Sequence, residues 1–323
     1  MGLSASAIIV NWNGDKWLPE CLATLREQEA GLREIIVVDN GSSDGSRSVA
    51  RAHGARWISM RRNIGLAPAL NAGARAATGE ALLFLNNDMR FDRRFVGCLL
   101  APLSDPGVFA SDALQYDWEG RRVVHWACRL EDAAAGETSH RPFYGAWINQ
   151  YRVRHVVDVA LASAAAMMVR REMFEQIGGF DDLLPINYED LDICLRAWSR
   201  GWRTVFTPHA VCWHHVSASS ESRAGHAAIV RGIVIGRLRC ALKFATVRGI
   251  ALTWIPIPVG DGGPSASEIR RLFGTGPRAL CSGGAYAMRT LPVTLRQRAA
   301  LASRPWDRLP FPPSGEYESG QKD

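Results

Sequence analysis

The chain has 323 residues, enough for one large domain or two ordinary ones. With 47% apolar and 22% charged residues it has the composition of a globular protein, which excludes wholesale disorder. Its net charge of +6 is unevenly placed: residues 226–304 carry +10 and the rest −4, a basic tail that suits nucleic acid, anionic lipid or neither.

The first hundred residues alternate strand and helix signals. Ala7 to Val10 is a short β-branched run, and Trp17, Cys21, Leu22 and Leu25 follow at helical spacing. Glu34 to Val38 is a second strand that ends in the turn-dense Asp39-Asn40-Gly41-Ser42-Ser43-Asp44-Gly45. A short helix is predicted from about Ser46 to His53 and a strand over Trp57 to Ser59. An Ala-rich helix follows from Pro68 to Ala77, with Pro68 suited to a first turn. Ala81 to Leu85 is the fourth strand, closed by Asn86-Asn87-Asp88. This order predicts an α/β fold, a mostly parallel central sheet with helices on both faces.

Ligands of such sheets bind beyond the carboxyl ends of the strands. Asn11-Trp12-Asn13, Asp39 and Asn86-Asn87-Asp88 all fall there. No GxGxxG follows the first strand, which disfavours a nicotinamide or flavin site, and no P-loop is present. A phosphate-bearing ligand would need another anchor, and a metal on a carboxylate is the obvious one. The absence of zinc-finger spacing, an RNP-like motif and a recognition-helix pattern argues against nucleic acid.

The second half reads as mixed to about residue 225. Asp158 to Arg170 is apolar, and residues 177–182 form a turn. Tyr188 to Trp202 is an amphipathic helix on Leu191, Leu195 and Trp198, with Asn187 as cap, Glu189 and Asp190 in the first turn and Gly201 as the left-handed stop. Thr204 to Phe206 is strand-like and precedes a turn at Pro208. Ile229 to Val259 is basic and apolar. The longest apolar runs are too short to cross a bilayer, and no basic n-region announces a secretory leader. Seven scattered cysteines without a CxxC fit a reducing cytosol.

Several short blocks, in order, resemble a family 2 glycosyltransferase. They are Ile8-Ile9-Val10-Asn11-Trp12-Asn13-Gly14, Val37-Val38-Asp39-Asn40-Gly41-Ser42, Asn63-Ile64-Gly65 with Asn71-Ala72-Gly73, and Gly79-Glu80 running into Leu85-Asn86-Asn87-Asp88. Later come Met168-Val169-Arg170-Arg171, Gly178-Gly179-Phe180-Asp181, Tyr188-Glu189-Asp190-Leu191-Asp192 and His214-His215. The similarity covers about residues 4–220 and is nearest the bacterial rhamnosyltransferase-like branch. It implies an A-type glycosyltransferase fold, a nucleotide-diphosphate sugar donor, a divalent cation (Mg²⁺ or Mn²⁺) and inversion at the anomeric carbon. On this reading residues 4–103 are the donor-binding half, 104–225 the acceptor-binding and catalytic half, 226–304 a basic helical extension, and 305–323 a disordered tail.

The resemblance also implies roles. Asp39 would accept N3–H of uracil or thymine; the alternative is a turn aspartate bonding its own backbone. Trp12 would stack on the base, or lie in the core. Asn11, Asn13, Asn63, Gly65, Asn71, Asn86 and Asn87 would complete the donor site. Asp88 would hold the metal in place of the family's DxD, with Asn86 standing where its first Asp is expected. Asp190 would be the catalytic base and Glu189 its support, unless the two are only dipole partners of the helix. Asp192 and Arg196, four apart, would pair on the helix. His214, preferred over His215, would be a second metal ligand, and Asp181 would contact the acceptor. Arg231, Arg237, Arg239, Lys243 and Arg248 would form an interfacial helix at the inner face of the plasma membrane, or a helix packed on the domain. The expected function is cytoplasmic transfer of rhamnose or another hexose to a cell-surface glycan or lipid-linked saccharide. The alternatives are a sugar-phosphate nucleotidyltransferase, which should carry a Gly-rich triphosphate loop, and a non-catalytic nucleotide-sugar-binding protein.

Overall fold

Two interleaved sets of apolar side chains organise the first half of the chain. Strands β1 (Ala5–Asn11), β2 (Glu34–Asp39), β3 (Arg56–Ser59) and β4 (Ala81–Asn86) are parallel, in the order β4-β1-β2-β3. Ile8, Ile36, Val38, Leu82 and Phe84 point to one face and Ile9, Ile35, Val37, Leu83 and Leu85 to the other, as a period of two requires. Helices α1 (Leu18–Arg26), α2 (Ser46–Ala52) and α4 (Phe95–Leu100) cover the second face. Helices α3 (Leu66–Ala76), α5 (Arg171–Gln176) and α6 (Glu189–Ser199) cover the first. The computed structural model describes residues 2–132, 142–143, 146–184, 186, 188–215, 223–244, 277–301 and 318–319.

Beyond β4 the sheet becomes mixed. β12 (Ala166–Arg170) runs antiparallel to both β4 and β6 (Val108–Asp117). β6 pairs in parallel with β13 (Arg203–His214), and β11 (Val157–Asp158) closes that edge. β5 (Met89–Phe91) and β7 (Val123–His125) join β13 and β6 from the side. A second, antiparallel sheet contains β8 (Ala127–Asp132), β9 (Pro142–Phe143), β10 (Ala146–Arg152) and β14 (Glu318–Ser319). Helices α7 (Arg223–Phe244), α8 (Pro277–Arg289) and α9 (Leu291–Ala299) follow the main sheet.

The structure corrects several local expectations. Trp17 is the N-cap of α1 and only partly buried; Leu18 takes its core place beside Cys21, Leu22 and Leu25. Thr204 to Phe206 is not a separate strand before a turn, because β13 continues through Pro208 with a register shift between Thr207 and Val211. A bulge tolerates a residue without an amide donor. α6 starts behind Tyr188 in a left-handed conformation (φ 69°), and Gly201 (φ 79°) follows its end as expected. The Asn187 cap, Arg248 and most of the 305–323 tail lie outside the described residues; Glu318–Ser319 pairs with Tyr151 and Arg152.

Candidate active site

The three polar groups at the strand ends are brought together. Asn11 is in register with Asp39, and Val10 with Asn86. Asn87 Nδ2 donates to Asn11 Oδ1 at 2.7 Å, and Asn11 Nδ2 donates to Ser42 Oγ at 3.2 Å. Ser42 Oγ also receives the Asn13 amide, and Asn13 Oδ1 receives that of Ser43. Gly14 is required beneath this network, since a Cβ there would lie 2.0 Å from Asn87 Nδ2 and 2.3 Å from Asn11 Oδ1.

Asp39 is buried, and its Oδ1 accepts the Ser42 amide at 3.0 Å, so the turn interaction is present. Its Oδ2 lies 3.5 Å from Ser59 Oγ. Trp12 is 43% exposed, which excludes the core alternative and leaves its ring open to a planar partner. Asn63 and Gly65 form a loop braced by Asn40, whose side chain bonds Asn63 Oδ1, Gly65 O and the Ile64 amide. Asn40 and Ser42, which lie in the Val37-to-Ser42 block without a role of their own there, are structural members of the site.

Asn71 and Asp181 do not join this group. Asn71 bonds both the amide and the carbonyl of Phe180 and reaches Asp182 Oδ1 at 2.7 Å, tying α3 to the 178–182 turn. Asp181 is buried under α7, where Arg239 Nη2 (2.8 Å) and Lys243 Nζ (2.6 Å) share its Oδ2. Both cations hold its carboxyl well below the usual range against the opposing cost of burial. An acceptor hydroxyl would have to displace two buried cations, so the expected acceptor role is replaced by a structural one. A cavity of about 670 Å³ lies here, lined by Asn71, Phe180, Asp182, Arg196 and Gln297 among others, and its lining includes none of Asp39, Asp88 or Asp190.

Pairing of β5 with the end of β13 sets His214 opposite Met89. His214 Nε2 is 3.3 Å from Asp88 Oδ1 and 3.2 Å from Asn86 Nδ2. His215 instead donates its amide to Asp88 O and packs its ring 4.0 Å from that of Trp17 and 5.3 Å from that of Trp118. Of the two histidines, only His214 has its ring nitrogen against the carboxylate. Asp88 Oδ1 is buried without a hydrogen-bond partner. Among the described residues no group of three His, Cys, Asp or Glu could enclose a metal. Asp88 and His214 still fit a cation that takes its other ligands from diphosphate and water, the usual habit of Mg²⁺.

Glu189 and Asp190 open α6. Glu189 is buried, its Oε2 has no partner, and burial, then Asp190 and Asp192, push its carboxyl up to about 8. Asp190 is half-buried, and burial raises it too, against hydrogen bonds from the amides of Leu191 (2.8 Å) and Ala164. The short run 163–165 links both halves of the site. Ser163 donates to Asp112, Ala164 to Asp190, and Ala165 O accepts the Asn86 amide.

A second buried acid-base pair stands behind Asp190. His125 Nε2 is 2.7 Å from Asp112 Oδ2. Burial raises Asp112, and His125 is raised as well: burial disfavours its charge, but Asp112 and Asp190 together outweigh it. Neither residue lies in a recognisable motif, so sequence gave no signal for the pair.

The sequence model described as "Glycosyl transferase family 2" matches residues 6–178. The chain is 26% identical over 236 residues to N-acetylglucosaminyl-diphospho-decaprenol L-rhamnosyltransferase of Mycobacterium tuberculosis, covering 66% of this chain and 76% of that protein. It is 25% identical over 235 residues to a dTDP-rhamnosyl transferase of Shigella flexneri, covering 70% and 73%. A match to an uncharacterized protein of Sinorhizobium fredii, 27% identical over 198 residues, covers 58% of this chain but spans only 22% of that protein's length. Among solved structures, a mannosyltransferase from Pyrobaculum calidifontis in complex with GDP-Man and Mn²⁺ superposes with a TM-score of 0.55 at 19% identity, covering 94% of this chain and 81% of that one. The fold is thus that of the A-type glycosyltransferases, and, with the family matched over more than half its length, the chain belongs to glycosyl transferase family 2.

Proposed function

We propose that the protein is an inverting transferase that moves a sugar, rhamnose being the first candidate, from a pyrimidine nucleotide-diphosphate sugar to a hydroxyl of a cell-surface glycan or lipid-linked saccharide. The observation that carries the reading is the junction at the end of β4. The Asp88–His214 pair sits there, and the 163–165 run ties the same strand end to Asp190. The rhamnosyl names of two relatives support the sugar, and the decaprenol-linked name of one supports the acceptor class.

In this mechanism Asp39 accepts N3–H of the base and Trp12 stacks on its ring. Asn11, Asn13 and Asn87 form the wall at the strand ends. Asp88 and His214 would hold Mg²⁺ or Mn²⁺, which when bound would offset charge on the leaving diphosphate. Asn86 supplies less charge than an aspartate and takes a place against His214. Asp190 receives the acceptor proton as the acceptor oxygen bonds to the anomeric carbon and the bond to the diphosphate breaks, taking its electron pair with it. Its raised proton affinity suits a base. Glu189, protonated up to about pH 8, serves as a neutral hydrogen-bond donor beside it.

The proposed reaction is cytoplasmic. Among the described residues no helix is long and apolar enough to cross a membrane. The interfacial-helix expectation is corrected for Arg239 and Lys243, which are buried against the domain, and Arg231 lies over the Tyr286 ring. The apolar residues of α7 are spread around the helix instead of gathered on one face. A nucleotidyltransferase is not favoured, since Asn11-Trp12-Asn13-Gly14 makes no triphosphate loop.

The test is turnover of dTDP-rhamnose, UDP-GlcNAc, UDP-glucose and GDP-mannose with Mn²⁺, with and without a polyprenyl-diphosphate saccharide. Release of dTDP or UDP, with sugar appearing on the acceptor in the inverted configuration, supports the reading. Binding without any release would favour the non-catalytic alternative.

A further inference from the structure

One face of α7 meets the segment that presents the two catalytic carboxylates. Gly232, Gly236, Arg239 and Lys243 follow one another by four, three and four residues, so they line one side of the helix. A Cβ on Gly232 would lie 2.4 Å from Ile186 Cγ2 and 2.5 Å from Ile186 O. A Cβ on Gly236 would lie 2.6–2.7 Å from Cδ2, Cβ and Cγ of Tyr188. The two glycines therefore receive Ile186 and Tyr188, which lie just before Glu189. One turn beyond Gly236, Arg239 Nη2 donates to Asp181 Oδ2, and two turns beyond it Lys243 Nζ donates to Asp192 Oδ1 (2.5 Å) and Asp181 Oδ2 (2.6 Å). All four charged groups are buried.

We propose that α7 is a positioning element of the catalytic centre, its Gly232–Gly236–Arg239–Lys243 face fixing the Ile186–Asp192 segment so that Glu189 and Asp190 keep one orientation. Tyr188 adopts a left-handed backbone that a bulky side chain disfavours, and such a conformation persists only where its surroundings enforce it. The glycine face of α7 packs directly on that residue. Asp192 is gripped twice over, by Lys243 from α7 and by Arg196 Nε (2.8 Å) from its own helix. Arg239 is in turn held by Thr290, Thr294 and Gln297, and Arg298 bonds the Leu242 carbonyl, so α9 locks α7 in place. A shift of register between α7 and α6 would strand the buried Asp181 or Asp192 carboxylate without its cation, which is costly.

The proposal rests on Asp190 being the base, and its test separates that premise from the clamp. The full chain, its Gly236→Ala and Gly232→Ala variants and Lys243→Met are compared by donor hydrolysis, by manganese-dependent binding of dTDP and UDP, and by amide exchange over residues 186–192. The glycine variants are expected to lower kcat about 10- to 100-fold through misplacement of the base, with nucleotide affinity held within about twofold. Faster exchange should be confined to the 186–192 segment. Lys243→Met should do the same; if it does not fold, the glycine variants decide. Unchanged kcat and exchange in both glycine variants would overturn the clamp, as would nucleotide affinity falling in step with kcat. If the wild-type chain turns over no donor, the functional reading fails, and exchange over residues 186–192 alone still decides whether α7 fixes the segment.

Discussion

His214 Nε2 lies 3.3 Å from Asp88 Oδ1, and that oxygen has no hydrogen-bond partner although it is buried. A carboxylate in that state is costly unless a cation completes it. His214→Ala is therefore expected to raise the Mn²⁺ concentration for half-maximal donor hydrolysis at least ~10-fold. His215→Ala, which removes a ring packed on Trp17 and Trp118, should leave the metal requirement nearly unchanged. A manganese titration of the two variants checks the assignment, and equal effects would contradict it.

Asp190→Asn keeps the shape of the side chain and removes the base. Transfer is expected to fall by about 10²–10⁴ while binding of the nucleotide with Mn²⁺ is retained. Glu189→Gln should cost less, because an amide still donates a hydrogen bond as the protonated acid does. Steady-state rates and calorimetric nucleotide affinity, measured on the same preparations, separate the two roles. An Asp190→Asn enzyme with near-normal turnover would move the base elsewhere.

Glu189 also makes a pH prediction. Its carboxyl is raised to about 8 in the folded chain by burial, then by Asp190 and Asp192. The folded state then holds a proton that the unfolded chain releases, so stability falls as pH rises from about 5 to 8 and levels off above that. Asp190, Asp112 and His125 are shifted upward as well and push in the same direction. One retained proton gives a slope of up to about 1.4 kcal/mol per pH unit. Urea unfolding across this range should show a shallower decline for Glu189→Gln than for wild type; parallel curves would contradict the assignment.

Gly73 lets α3 rest on the sheet, since a Cβ there would lie 2.4 Å from Ile8 Cγ2 and 2.9 Å from Val38 Cγ2. Gly73→Ala gains helix propensity but overpacks this contact, and a net loss of ~1–3 kcal/mol is expected. Chemical denaturation measures it. A more stable variant would mean that the helix can lift without cost.

The parallel half of the fold was legible because period-two apolar runs and turn residues are local signals, as at Ile8 to Val10 and Asp39 to Gly45. The convergence of Asn11, Asp39 and Asn86 follows directly from that order. The mixed half was not legible: β12 enters antiparallel between β4 and β6, and nothing within Ala166 to Arg170 encodes its neighbours. Asp181 and Asn71 sit in motifs that look like site residues, yet their partners are Arg239, Lys243 and Phe180, as many as 109 residues away along the chain. Separations of 58 and 62 residues from Asp181 likewise hid Arg239 and Lys243, whose basic spacing suggests a solvated or lipid-facing helix until their buried carboxylates are located. Asp112 and His125 escaped notice because a buried pair assembled from two strands leaves no contiguous motif.

The most direct test of the account is thermal stability of the wild-type chain and Asp88→Ala against UDP, dTDP, GDP, CDP and NAD, each with and without Mn²⁺. A ligand that binds only the folded state raises Tm by mass action, by about 2.7 kcal/mol of stability at a hundredfold excess over Kd. UDP or dTDP is expected to raise Tm only with Mn²⁺, and Asp88→Ala to abolish the shift. Stabilisation by NAD alone, or none by any nucleotide, would contradict a nucleotide-sugar site at the end of β4.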